Sequence, residues 1–263
     1  MVVATDSVSP DFFSKGYAIV EATDRDCLDG LRLGIFKYLA EAFGLDVDQD
    51  PEECLNDFHS YLSGLSATEV NSIRMDAIRK ISREIDFSEM IFRAFEGQLS
   101  GLLGPDVLAQ KTCNIVIQPP GDPNPSELHR DAPLNSPYEI VVWVPFVDCY
   151  ETKTMYLLDT DATDAALGFL GENPEDWDGF EAFCKQRAIR PRVPYGSALI
   201  FFTGLFHGSD INQEDETRVS VNIRYKNLFA PSGLKNQLQF FKLLRSSPLA
   251  RLGAALEERE LLK

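Results

Sequence analysis

His129 and Asp131 stand two residues apart in Glu127-Leu128-His129-Arg130-Asp131, and on an extended segment that spacing sends both side chains from one face. An imidazole and a carboxylate so placed can grip one ion together. A third ligand has to come from elsewhere, and the chain's other histidines are His59 and His207. His207 has the better setting, because it follows the strand-like apolar run Ser197-Ala198-Leu199-Ile200-Phe201-Phe202 and is followed at once by Gly208. His59 falls in a helical pattern with no carboxylate at useful spacing, so it reads as an ordinary histidine. Two imidazoles and one carboxylate on one side of an ion leave the opposite side open. That facial set suits Fe(II) that must also take a cosubstrate and dioxygen, and Zn(II) accepts the same atoms.

Arg218 moves the reading toward iron. It opens a second apolar strand running to Tyr225, on which Arg218, Ser220, Asn222 and Arg224 share one face while Val219, Val221 and Ile223 share the other. A guanidinium on the inward face of a barrel strand can hold a carboxylate by two parallel hydrogen bonds, with the Ser220 hydroxyl as a further donor. Arg224, farther along that face, is a candidate for an anionic substrate group and equally for an ion pair with one of the many acids.

This ordered set resembles the Fe(II)- and 2-oxoglutarate-dependent dioxygenases, and more narrowly their phytanoyl-CoA hydroxylase-like branch. The family's H-x-D matches His129-Arg130-Asp131, its distal histidine His207, and its R-x-S Arg218-Val219-Ser220. The opening Phe12-Phe13-Ser14-Lys15-Gly16-Tyr17-Ala18-Ile19-Val20 and the strand end Trp143-Val144-Pro145-Phe146-Val147-Asp148 are also similar, so the resemblance spans nearly the whole chain. Tyr156-Leu157-Leu158-Asp159-Thr160-Asp161 departs from it, standing where the branch often has a P-G-S-H-like turn.

The resemblance implies a double-stranded β-helix, a cupin-like jelly-roll barrel with flanking helices, holding Fe(II) on His129, Asp131 and His207. It also implies 2-oxoglutarate seated on Arg218 and Ser220, dioxygen as the oxidant, and oxidation of a C–H bond of a small metabolite. Polar residues of the strand Thr112 to Gln118 lie near cosubstrate or substrate in that family, which makes Asn114 and Gln118 candidates; Trp143 could shape the pocket or belong to the core. Because Asp131 is a carboxylate, hydroxylation is favoured over halide-binding chemistry. Two other readings use the same residues: a cupin-like protein that binds a metal or sugar without oxidising it, and a zinc hydrolase.

The totals set limits. A chain of 263 residues, 44% hydrophobic, can bury one large core. With 41 acidic against 25 basic residues and a net charge of -16, it lacks the positive surface nucleic acid requires. Five scattered cysteines without a CxxC pair suggest neither disulfides nor a zinc ribbon, and point to a reducing cytoplasm. No run approaches the roughly 20 apolar residues of a membrane span, and no basic-then-apolar leader opens the chain.

Positioning these residues calls for one domain with three parts: helical support over 22–104, a barrel over 110–230 and a long helix over 236–262. Residues 11–21 read as a strand extending the main sheet, Tyr138 to Val147 as a central strand buried on both faces, and Asp159 to Gln186 as an acidic, solvated excursion with helical stretches. The terminal helix would pack on the sheet's outer face or on a second subunit, giving a monomer or a homodimer.

Overall fold

Residues 8–234 and 237–261 are described by a computed structural model of the chain. α1 (Pro10–Lys15) carries its proline at the start, where a missing N–H costs nothing, and Gly16 at φ 77° ends it and turns the backbone into β1 (Tyr17–Glu21). The strand expected over 11–21 is therefore half helix. Asp24 caps α2 (Arg25–Phe43) by accepting the Cys27 N–H, and Leu28, Leu31, Ile35 and Leu39 form its buried stripe. α3 (Pro51–Asn56), a 3-10 turn at Phe58–Leu62 that carries His59, α4 (Ala67–Glu84), α5 (Phe87–Ala94) and α6 (Glu96–Leu103) complete the helical layer.

The strands then follow: β2 (Val107–Gln110), β3 (Asn114–Gln118), β4 (Glu139–Pro145) and β5 (Met155–Leu157). After α7 (Thr160–Glu172) and α8 (Trp177–Arg187) come β6 (Ser197–Phe202), β7 (His207–Ser209) and β8 (Arg218–Asn227). The large sheet runs β1-β6-β4-β8, all antiparallel, and β8 is long enough to take β4 on one edge and β3 and β2 in succession on the other. β5 and β7 make a small second sheet, widened by bridges between His129 and His207 and between Leu157 and Ile189. Neither sheet closes on itself among the described residues, so the expected barrel is seen as two open antiparallel sheets, with residues of both lining one cavity. Among the described residues no ladder joins the two sheets, and β5 and β7 are three residues each.

Alternation along β8 decides what faces that cavity. Val219, Val221, Ile223 and Tyr225 are buried in the main core, where the Tyr225 hydroxyl donates to the Ser88 carbonyl of α5 at 2.9 Å, leaving Arg218, Ser220, Asn222 and Arg224 for the other face. Leu31 is fully buried in the same core. Leu31→Ala is expected to cost about 2–5 kcal/mol of stability, read as a lowered urea midpoint at unchanged slope.

Two segments differ from expectation. The tail is not one helix over 236–262: α9 (Gln237–Phe240) passes into β9 (Phe241–Arg245), which pairs with β2, and Pro248 starts α10 (Pro248–Leu261). A short apolar run such as Phe241-Lys242-Leu243-Leu244-Arg245 carries no period that separates strand from helix, and here the unpaired edge of β2 decides. α10 leaves Leu249, Leu252 and Leu256 exposed rather than packed on the sheet. The excursion over 159–186 is also less solvated than expected, because α7 and α8, capped by Asp159 and Asp176, bury Ala166, Phe180 and Cys184 against Leu158 and Phe206. No helix among the described residues is long and apolar enough to cross a membrane.

Candidate metal centre

His129 and His207 exchange backbone hydrogen bonds, each N–H donating to the other's carbonyl at 2.9 Å, which fixes their rings 4.2 Å apart between centroids. Asp131 follows on the same segment, and the ligand atoms of the three residues all lie within 4.8 Å of one another. The Nδ1 of His129 is 2.8 Å from the Glu127 carbonyl and that of His207 is 3.0 Å from the Leu205 carbonyl. A carbonyl only accepts, so each Nδ1 carries a proton, which in the neutral ring leaves the Nε2 lone pair for a metal. Glycine is required next to His207: a Cβ at Gly208 would sit 2.5 Å from the Tyr156 hydroxyl and 2.9 Å from the Ser126 carbonyl.

Burial, and after it the neighbouring His129, pushes the His207 pKa down to about 4 from an ordinary 6.5. A histidine depressed in the folded state contributes stability that is complete above about 6.5 and is lost as pH falls toward about 4. Chelator-treated protein should thus lose stability across that window, and His207→Gln should lose less; urea midpoints measured against pH test this.

Asp131 is buried and does not stand alone. Arg224 donates from Nε to Oδ2 at 3.2 Å and from Nη2 to Oδ1, and the Asn135 amide donates to Oδ1 at 3.2 Å. Of the two uses open to Arg224, a substrate anion or an ion pair, the structure shows the ion pair, and with the acid of the metal set itself.

Arg218 presents the opposite case. Only 4% exposed, it makes one long hydrogen bond, from Nη1 to the Thr154 carbonyl at 3.3 Å, and no ion pair joins it to a carboxylate among the described residues. Burial depresses its pKa, against the opposing pull of Cys149 and Asp122. Its Nε has no partner, and neither do Ser220 Oγ, Thr154 Oγ1, Gln118 Oε1 and Asn222 Oδ1. Unpaired buried polar groups are costly, and such a set on β8 and the residues facing it is what a bound ligand would satisfy. Three of them, the guanidinium Nε and two hydroxyls, can donate to an anion.

Gln118, Arg218 and Asn222 among them line a cavity of about 300 Å³ together with His129, His207 and Arg224, the low end of small-molecule sites. Asn114 sits on its exposed lip opposite Asn222 in register, and Gln118 lies opposite Arg218 with its amide donating to the Asp210 carbonyl at 2.9 Å. Trp143 is both buried and on the cavity wall. A larger cleft of about 940 Å³ lies between α8 and the small sheet and shares only Pro125, Ser126 and Ser209 with the cavity; it holds none of the convergent ligands. His59 stays outside the set: its Nδ1 meets the Thr217 hydroxyl at 3.1 Å, and Asp57, 3.6 Å from its Nε2, is a carboxylate the sequence reading did not grant it. Thr154, whose carbonyl accepts from Arg218, and Asn135, whose amide donates to Asp131, carry no spacing signal in the sequence.

The chain has the fold of the non-haem, 2-oxoglutarate-dependent enzymes. Among the solved structures, a non-haem monooxygenase, ThoJ in its Ni complex, is similar at a TM-score of 0.50 and 19% identity, over 90% of this chain and 82% of that one. The α-ketoglutarate-dependent epimerase SnoN from nogalamycin biosynthesis matches at 0.50 and 15%, over 92% and 99% of the two chains, and EctD from S. alaskensis with bound Fe at 0.51 and 15%, over 88% and 82%. At these identities the likeness is one of fold. No family model and no curated protein matches the sequence.

Proposed function

We propose that the protein is a non-haem Fe(II) oxygenase that consumes 2-oxoglutarate and dioxygen to oxidise a C–H bond of a small metabolite. The two sheets are read as the halves of a jelly roll. The observation that carries this reading is Arg218, a buried guanidinium in no ion pair among the described residues, sharing a cavity with His129 and His207, whose ligand atoms converge with those of Asp131. His129, Asp131 and His207 fit a facial metal set, with both free Nε2 atoms available. Arg218, with Ser220 and Thr154 beside it, fits the distal carboxylate of 2-oxoglutarate, and Asn114 and Gln118 offer amides along the same wall.

Bound there, iron and 2-oxoglutarate supply the oxidising power through decarboxylation to succinate. The chain's own share is to hold both in place, to bring Trp143 and the cavity wall against the substrate, and to keep water out. Hydroxylation is the default outcome; epimerisation, desaturation and ring closure would use the same ligands. The small cavity supports a small-molecule substrate, and five free buried cysteines support a reducing, cytoplasmic setting. The test is spectroscopic: Fe(II) and 2-oxoglutarate added anaerobically should give a visible metal-to-ligand charge-transfer band. Turnover with Zn(II) and none with Fe(II) would instead establish a hydrolase.

A further inference from the structure

The ion pair between Arg224 and Asp131 is unusual in its target, since the guanidinium engages both oxygens of the one acid in the metal set. The pair is shielded, with side-chain exposures of 16% for Arg224 and 7% for Asp131. Its surroundings hold it still. The Arg224 N–H donates to Gln110 Oε1 at 3.2 Å, the Asn135 amide supports Asp131 Oδ1, and Glu139 and Lys226 stand as a second buried acid and base behind them. The loop after Asp131 is pinned in turn: Ser136 Oγ donates to the Pro231 carbonyl at 2.6 Å, and a Cβ on Gly233 would come within 2.5 Å of the Asn135 backbone. Asp131 therefore has little room to swing to a new position, and a cation must share its carboxylate with the guanidinium.

We propose that Arg224 is a positioning residue that competes with the metal for Asp131, weakening the metal's hold and restricting it to a single carboxylate oxygen. The inference rests on the metal set assigned above. A carboxylate offers about four lone-pair directions, and the planar guanidinium fork takes one from each oxygen in parallel. A cation can use a remaining direction on one oxygen but cannot chelate both. The fixed positive charge also repels a divalent ion and draws electron density from the ligand. One-oxygen binding keeps ligand positions on the metal's open side available for cosubstrate and dioxygen, so the weaker hold serves the reaction.

The test titrates chelator-stripped protein with Co(II), followed by calorimetry and by the visible ligand-field absorption, for the unaltered chain, Arg224→Met and Arg224→Lys. Losing a partner behind a metal ligand commonly costs about 10- to 100-fold in metal affinity, but Arg224 is a competing cation, so the change should run the other way, with the Met variant binding Co(II) tighter by at least about tenfold. Its absorption should weaken as both Asp131 oxygens engage and coordination number rises. The Lys variant, which keeps the charge, should stay within about threefold of the unaltered protein. The stripped Met variant should melt lower yet gain more from Co(II), because a buried carboxylate left without its partner finds the metal instead. A residue of merely structural value would lower affinity when lost, so Co(II) binding by the Met variant that is no tighter than normal overturns the proposal. Should that variant fail to fold, Arg224→Gln removes the charge while keeping a hydrogen bond and gives the same comparison. If the unaltered protein does not bind Co(II), the metal set and this inference fall together; if it binds and only the variant ordering fails, the inference alone does.

Discussion

His207→Ala is expected to lower Fe(II) affinity by more than about 100-fold, since even residues behind a ligand commonly cost 10- to 100-fold and this change removes a ligand outright. The loss should be separable from any damage to the fold. His207 lies on a three-residue strand held by backbone pairing to β5 and to His129, and none of those bonds depends on the imidazole. Its ring does pack 4.8 Å from Phe201, so a modest drop in thermal midpoint accompanies the change. Metal titration of the variant, paired with its melting curve, measures the two effects apart. A variant that melts lower but still binds Fe(II) normally would show that His207 is a core residue and nothing more.

Arg218→Met should produce effects of opposite sign on binding and on stability. Truncating one partner of a buried charge-assisted pair typically costs about 2–5 kcal/mol, so 2-oxoglutarate affinity should fall by roughly 30-fold to several thousand-fold. The protein without ligands should be as stable as before or more so, because the guanidinium is 4% exposed, forms no ion pair among the described residues, and has its desolvation opposed only by the weaker pull of Cys149 and Asp122. Stability given up to hold a binding group in readiness is a usual feature of functional sites. Calorimetric titration with 2-oxoglutarate in the presence of a redox-inert divalent ion measures the first effect, and a urea curve without ligand the second. If Arg218→Met is strongly destabilising and leaves 2-oxoglutarate binding intact, Arg218 is structural.

The convergence of His129, Asp131 and His207 was partly legible in the sequence because it depends on local rules. The two-residue spacing of His129 and Asp131 and the alternation of β8 are properties of extended backbone, and the structure puts those side chains where the period of two requires. The helical support expected over 22–104 rests on local signals of the same kind, among them the Asp24 cap and the left-handed Gly44 at the two ends of α2. What escaped depends on contacts between distant segments. The pairing of Arg224 with Asp131 joins residues 93 apart in sequence, and the Thr154 carbonyl meets Arg218 across a separation of 64. The strand at Phe241–Arg245 exists because β2 offers it an edge, which no pattern within those five residues announces. Closure of the barrel, implied by family resemblance, is likewise a matter of hydrogen bonding between sheets, and the two sheets remain open.

Crystals grown anaerobically with Mn(II) and 2-oxoglutarate provide the most direct measurement. The expected result is one ion at about 2.0–2.2 Å from His129 Nε2, His207 Nε2 and a single oxygen of Asp131, with the far carboxylate of 2-oxoglutarate paired to Arg218 and Ser220. An ion bound elsewhere, or 2-oxoglutarate that leaves the Arg218 guanidinium untouched, would contradict the proposed oxygenase.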